Sequence, residues 1–285
     1  MTKFSILLPT HNRPEVLHLA IRSVLAQTRD DWELLVVGDG CTDNTGAVVQ
    51  GFGDARIRWF DLPKGPGFGY ANRNIALRQA KGELVAFLGH DNLYFPDHLE
   101  KMGAAFARPK VQFAVSRPLF IDDDGTVLPF FANLNIPPVF REFMEVRNFV
   151  PATAVMHRRS AFDRVGLWPE RAEGSGDWDL WKRILADCGR PGLAMVDQPT
   201  CLHFRANWRR ENGWGPTPAR WLRAVRDSDG WWPKGLNLDL EGTGLPQEKV
   251  WSLLQGPSAV GQIREAANRL RDHLAWTAGL DPAFR

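Results

Sequence analysis

Cysteine is scarce: Cys41, Cys188 and Cys201 are the only three in 285 residues, scattered and without a Cys-x-x-Cys pair. That excludes a disulfide framework and a cysteine zinc site, and a reducing, cytoplasmic compartment is the expectation. No apolar run approaches the roughly eighteen residues that a membrane-crossing helix needs. The run at the N-terminus breaks at Pro9, too soon for a secretory leader. Charge of one sign is also lacking. Thirty-five basic residues face 33 acidic ones, a formal charge of +2, which argues against a nucleic-acid partner. There is no internal repeat and no low-complexity tract.

What is present suits a globular enzyme-sized chain, 44% hydrophobic and 24% charged. Short runs at 4–8, 32–37, 57–60 and 84–88 read as strands, those at 4–8 and 84–88 as buried ones. Between them, 13–27 and 71–80 show helical spacing, and a further helix opens from Gly46. Strands alternating with helices imply a mostly parallel sheet covered on both faces. Later strands are expected at 111–116, 126–131, 151–157 and 200–204, and helices at 159–165, 177–187 and 259–276. From about Arg205 the texture changes: seven of twelve tryptophans lie beyond it, interleaved with Arg209, Arg210, Arg220, Arg223 and Arg226.

In an open parallel sheet, ligands bind where loops leave the carboxyl ends of the strands. Three such loops are polar here: Pro9-Thr-His-Asn-Arg, Gly38-Asp-Gly-Cys-Thr-Asp and Gly89-His-Asp-Asn. Asp39 on the second suits a uracil N–H or a ribose hydroxyl, and equally a turn or helix cap. Asp91, beside His90 and after a buried strand, offers an oxygen and an imidazole to Mn²⁺ or Mg²⁺ holding a diphosphate. It would serve equally to cap the turn before Pro96. Gly65-Pro-Gly-Phe-Gly matches neither of the familiar phosphate-binding glycine patterns and reads as a turn entering a helix, with Arg73 within reach of a phosphate or base. Asp177 opens a helix after a glycine-rich loop, as a general base or as a complement to the helix dipole. His203, on a strand, reads on its own as a structural histidine.

These stretches together resemble the inverting family-2 glycosyltransferases of the GT-A fold. The likeness lies in the order of Ser5-Ile-Leu-Leu-Pro-Thr-His-Asn-Arg-Pro, Val36-Val-Gly-Asp-Gly-Cys-Thr-Asp-Asn-Thr, Ala71-Asn-Arg-Asn, the stretch from Lys81 through Asp91 to Glu100, and Gly176-Asp-Trp-Asp-Leu-Trp-Lys-Arg, over about 205 residues. The resemblance implies a GT-A-type mixed, mostly parallel sheet flanked by helices; beyond Arg205, where it stops, composition and the helical spacing of 259–276 read as a Trp-rich helical extension at 206–285. It divides the catalytic domain, 1–205, into a nucleotide half (1–93) and an acceptor half (94–205). Asp39 would bind the donor base, with Pro9, Thr10, Asn12, Arg13 and Arg73 around the nucleotide. Asp91 would be the last aspartate of the family's metal motif, with His90 and His203 as further contacts, and Asp177 the base. Two positions depart from the pattern: His90 replaces an acidic residue, and Gly176 replaces the glutamate that often precedes the base.

The expected reaction is transfer of a sugar from a nucleotide-sugar donor, UDP-linked, to a saccharide or other hydroxyl acceptor, with Mn²⁺ or Mg²⁺. Two rivals stand beside it. A nucleotidyltransferase would carry a Gly-rich, basic loop after the first strand, where this chain has Pro-Thr-His-Asn-Arg-Pro. A non-catalytic carbohydrate-binding or scaffolding protein would use the tryptophans as its working surface. The tail reads as packing for the catalytic domain, or as an acceptor or membrane-surface lid.

Overall fold

The computed structural model describes residues 2–122, 124–170, 175–204, 226–227, 232–240 and 244–277, with 275–277 through their backbone alone. The first half alternates as its apolar pattern requires: β1 (Phe4–Thr10), α1 (Pro14–Leu25), β2 (Trp32–Asp39), α2 (Thr45–Gln50), β3 (Ile57–Leu62), α3 (Tyr70–Leu77) and β4 (Leu84–Phe87). Every residue of β2 is buried, which explains its unbroken apolar core where a half-exposed strand would alternate. Pro14 starts α1 at a position where a missing N–H costs nothing.

The second half uses shorter pieces: β5 (Leu93–Tyr94), α4 (His98–Ala104), β6 (Phe113–Val115), β7 (Leu119–Ile121), β8 (Val127–Pro129), α5 (Pro137–Glu145), β9 (Val155–Arg158), α6 (Ala161–Val165), α7 (Gly176–Cys188), β10 (Leu193–Met195) and β11 (Cys201–Phe204). Helices α8 (Pro246–Leu254) and α9 (Ala259–Thr277) follow.

Two sheets form among the described residues. The first has seven strands in the order β10-β6-β9-β4-β1-β2-β3, mixed because β9 runs antiparallel to both of its neighbours. The second has four, β5-β11-β7-β8. One core cluster fills the space around the large sheet and includes Trp181, Phe113 and Leu35. A second cluster joins Leu19, Phe95, Leu119 and Leu202 to Val250, Ile263 and Leu270, so it draws on both sides of residue 205. Trp232 and Trp251 pack against it. Trp208, Trp214, Trp221 and Trp231, with Arg209, Arg210, Arg220 and Arg223, lie outside the described residues, as does the side chain of Trp276. No helix among the described residues is long and apolar enough to cross a membrane.

Candidate functional site

Strands β1, β2 and β4 lie side by side and parallel, so their carboxyl ends open on one edge: Thr10 pairs with Gly38, and Leu7 with Phe87. Asp39 ends β2 and is 8% exposed. Its Oδ1 accepts from the Gly65 N–H and from Asn72 Nδ2, both at 2.7 Å, and its Oδ2 from Lys64 Nζ at 2.5 Å. Burial opposes the charge, but the Lys64 ammonium, the Gly65 N–H and Asn72 outweigh it and hold the carboxyl below its ordinary value. The glycine loop closes tightly over this carboxylate. Gly69 sits at φ +72°, and a Cβ there would come 2.7 Å from Asp39 Cγ. The loop that sequence alone read as a turn is thus a clasp on Asp39, and Lys64 and Asn72 were not foreseen as its partners. A carboxylate oxygen has two lone-pair sites; among the described residues Oδ2 has one taken.

The first loop is knitted to the second. Asn12 adopts a left-handed φ of +49°, tolerable for asparagine. Its amide exchanges two bonds with Thr42: Nδ2 donates to Oγ1 at 3.1 Å, and the Thr42 N–H donates to Oδ1 at 2.8 Å. Asn12 therefore ties two loops, and Arg13 pairs in solvent with Glu15 at 3.2 Å. Thr10 differs: it is 3% exposed, and its buried Oγ1 has no hydrogen-bond partner among the described residues. A buried hydroxyl left open at a strand end is the kind of group a ligand satisfies.

On the third loop burial, against the pull of Asp91, lowers the pKa of His90. Its buried Nδ1 has no hydrogen-bond partner among the described residues. Asn92 is committed at both ends, Nδ2 to Thr153 Oγ1 at 2.9 Å and Oδ1 to the Phe204 N–H at 3.0 Å. That second bond, with the pairing of Leu202 to Leu93, sets His203 alongside the loop, its ring edge-on to Phe120 at 5.3 Å. Asp91, His90 and His203 do not form a cage: among the described residues no group of three or more His, Cys, Asp or Glu could hold a metal. A carboxylate next to an imidazole with an open buried nitrogen does fit an ion of the Mg²⁺ or Mn²⁺ kind, which completes its shell with phosphate oxygens and water.

Facing these loops stands the start of α7. Its first-turn carboxylates part ways. Asp177 Oδ1 meets Arg73 Nη1 at 3.3 Å, whereas Asp179 Oδ2 meets Arg183 Nε at 2.9 Å, one turn along. Arg183 in turn is tied to the carbonyls of Val165, Gly166 and Leu167. Arg73 also donates to the Phe68 carbonyl at 3.1 Å, so it lies between the glycine loop and α7. Tyr70, unremarked in the sequence although it is one of two tyrosines, is 2% exposed at the start of α3. A Cβ on Gly176 would come 2.5 Å from its Cζ, which is why a glycine and not a glutamate precedes Asp177. Glu173 lies outside the described residues.

Comparison with known proteins agrees with this layout. The family described as Glycosyl transferase family 2 matches residues 5–166. The UDP-Glc:alpha-D-GlcNAc-diphosphoundecaprenol beta-1,3-glucosyltransferase WfgD of Escherichia coli is 34% identical over 128 residues, 45% of this chain and 50% of that protein. Among solved structures, S. aureus TarS 1–349 in complex with UDP-GlcNAc superposes with a TM-score of 0.60 at 16% identity, over 98% of this chain and 93% of that one. Glucosyl-3-phosphoglycerate synthase of Mycobacterium tuberculosis, in complex with Mn²⁺, UDP and glucosyl-3-phosphoglycerate, does so at 0.54 and 17%, over 82% of each chain. These two show a shared GT-A fold. The chain spans 31% to 46% of the length of the first curated relatives it matches.

Proposed function

The chain belongs to glycosyl transferase family 2, and from that premise we propose that it moves a sugar from a UDP-linked donor to an acceptor hydroxyl, with inversion at the anomeric carbon. The observation that carries the reading is a link through α3: Asn72 bonds Asp39 on the edge where β1, β2 and β4 end, and the next residue, Arg73, pairs with the α7 carboxylate Asp177. Relatives whose names print UDP-Glc or UDP-GlcNAc support the choice of nucleotide. The division into a nucleotide half (1–93), an acceptor half (94–205) and an extension (206–285) belongs to the same reading.

In this mechanism the open lone pair of Asp39 Oδ2 receives the base N–H, and Thr10 Oγ1 a polar group of the nucleotide. Pro9, Asn12 and Arg13 shape the wall between them. Asp91, with His90 and His203 beside it, would hold a Mn²⁺ or Mg²⁺ ion, which when bound would supply Lewis acidity toward the diphosphate. Asp177 takes the proton of the acceptor hydroxyl, and the helix N-terminus behind it favours its ionised form. The hydroxyl oxygen bonds the anomeric carbon from the face opposite the diphosphate. The bond from that carbon to the diphosphate oxygen breaks, and its electron pair leaves with the nucleotide.

A melting-temperature panel tests the reading. UDP should raise Tm, and Mn²⁺ should enlarge the rise, because a ligand that binds only the folded state stabilises it by mass action. If neither UDP nor any UDP-sugar moves Tm, with or without Mn²⁺, the donor assignment falls.

A further inference from the structure

Tyr70 has a richer setting than core packing demands. Its ring covers Gly176 so closely that a Cβ there would lie 2.5 to 3.0 Å from three ring atoms. Arg73, one turn along α3, lies with its Cζ 4.7 Å from the ring centroid while its Nη1 reaches Asp177 Oδ1 at 3.3 Å. A guanidinium over an aromatic face is held there by the ring's quadrupole. The ring also packs against Trp168 at 5.8 Å, and Arg73 lies 5.8 Å from that ring as well. The Trp168 backbone is fixed by Asn74, which donates to its carbonyl at 2.8 Å and accepts from its N–H at 3.2 Å. The hydroxyl-bearing end of the ring abuts the first turn of α7 at Gly176, and burial followed by the Asp177 charge raises the phenol's pKa. One face of α3, in the nucleotide half, therefore grips the first turn of a helix in the acceptor half.

From this geometry we infer that Tyr70 is a positioning residue for Asp177: its ring carries Arg73 against the carboxylate, and its hydroxyl seats the first turn of α7. The inference rests on the reading of Asp177 as the base. Tyr70 touches no reacting atom. It acts by fixing where the carboxylate stands when the acceptor hydroxyl arrives, and small displacements of a catalytic group are costly to the chemical step. Nothing in the contact ties it to the donor's base or ribose.

The test is UDP release from UDP-glucose by the full chain, with donor concentration varied, joined to a stability measurement that needs no turnover. Tyr70→Phe should lower kcat about fivefold to tenfold, the scale of one lost hydrogen bond, and leave the donor KM within about twofold. Tyr70→Leu, which also removes the seat of Arg73, should lower kcat further, and Phe at position 70 should recover part of that loss. Gly176→Ala should impair the wild-type chain by driving the ring aside, yet add little in the Tyr70→Leu background. In urea unfolding, Tyr70→Leu and Asp177→Asn should be non-additive, because losing the ring already costs the Arg73–Asp177 pair. Additive urea midpoints overturn the inference. So does a Tyr70→Leu protein with lowered stability but wild-type kcat, which would make the ring packing only. Asp177→Asn assayed alongside separates the two readings: full turnover there overturns the base assignment and this inference with it, whereas a dead Asp177→Asn beside an unimpaired Tyr70→Leu overturns this inference alone.

Discussion

At Asp39 one carboxylate anchors the glycine loop and, in the proposed function, would also receive the base, and the two roles respond differently to substitution. Asp39→Ala removes the acceptor proposed for the base, and UDP affinity should fall by about 1.5–3 kcal/mol, the worth of a charge-assisted hydrogen bond. Lys64→Met is the counterpart. It frees Oδ2 while Gly65 and Asn72 keep Oδ1 in place, so UDP affinity should hold or rise. Titration calorimetry on both variants checks the pair, and a loss of affinity in Lys64→Met would place the ammonium on the nucleotide instead. The first turn of α7 offers a second paired experiment. Asp177→Asn keeps shape and helix-start preference but cannot take a proton, so kcat should drop about 10²–10⁴-fold with donor KM nearly unchanged. Asp179→Asn should cost far less transfer, since its partner Arg183 faces the carbonyls of 165–167 and not Arg73. A dead Asp179→Asn beside an active Asp177→Asn would exchange their roles.

Among the elements, α9 is held by a latch that can be opened with one substitution. Arg264 grips Asp97 with two bonds of 2.7 and 2.6 Å, donates to the Pro199 carbonyl at 2.7 Å and lies over the Phe95 ring. Burial raises the cost of the Asp97 charge, but Arg264 outweighs it and lowers the carboxyl's pKa. Lysine cannot reproduce the planar fork, so Arg264→Lys should lower Tm by roughly 3–6 °C, as the loss of one such pair implies. Calorimetric scans of the two proteins decide it, and an unchanged Tm would make the pair incidental. Elements of this kind also mark how far sequence reasoning reaches. Strands β1, β2 and β4 were legible because each is a buried apolar run; β3, only half-buried, showed as a short run rich in apolar residues. β5 and β7, of two and three residues, have no period of their own and exist through pairing with β11. α5 opens on two prolines and α8 lies beyond the Trp- and Gly-rich stretch, where composition hides a helix. In the site, Asp39, Asp91 and Asp177 stood at strand and helix ends that the pattern marks. Lys64, Asn72 and Tyr70 take their meaning only from what the fold sets against them.

The whole molecule carries an acid sensitivity in its core. His98 and His157 are both 0% exposed, the first stacked on Tyr94 and bonded to Thr200 Oγ1 at 2.9 Å, the second bonded to the Arg158 carbonyl at 2.8 Å. Burial pushes their pKa values down to about 3 and about 4. The unfolded chain binds these protons near pH 6.5, so their contribution is complete above that value. It is lost as pH falls toward 4, at about 1.4 kcal/mol per histidine per pH unit. Urea midpoints taken between pH 7.5 and 4.5 should therefore slide downward, and His157→Phe should flatten the slope by about half. A wild-type midpoint constant over that range would remove the histidines from the account. Asn92 carries a different consequence, one of timing. Its amide bridges Thr153 and Phe204 and so locks the neighbouring Asp91 loop across both sheets as the chain folds, before any donor arrives. Under the proposed function the diphosphate end of the donor would therefore meet a surface that the fold has already set. The base end would meet Asp39 with Oδ1 filled by Gly65 and Asn72 and one lone pair of Oδ2 open beside Lys64, so the base would arrive without displacing the ammonium.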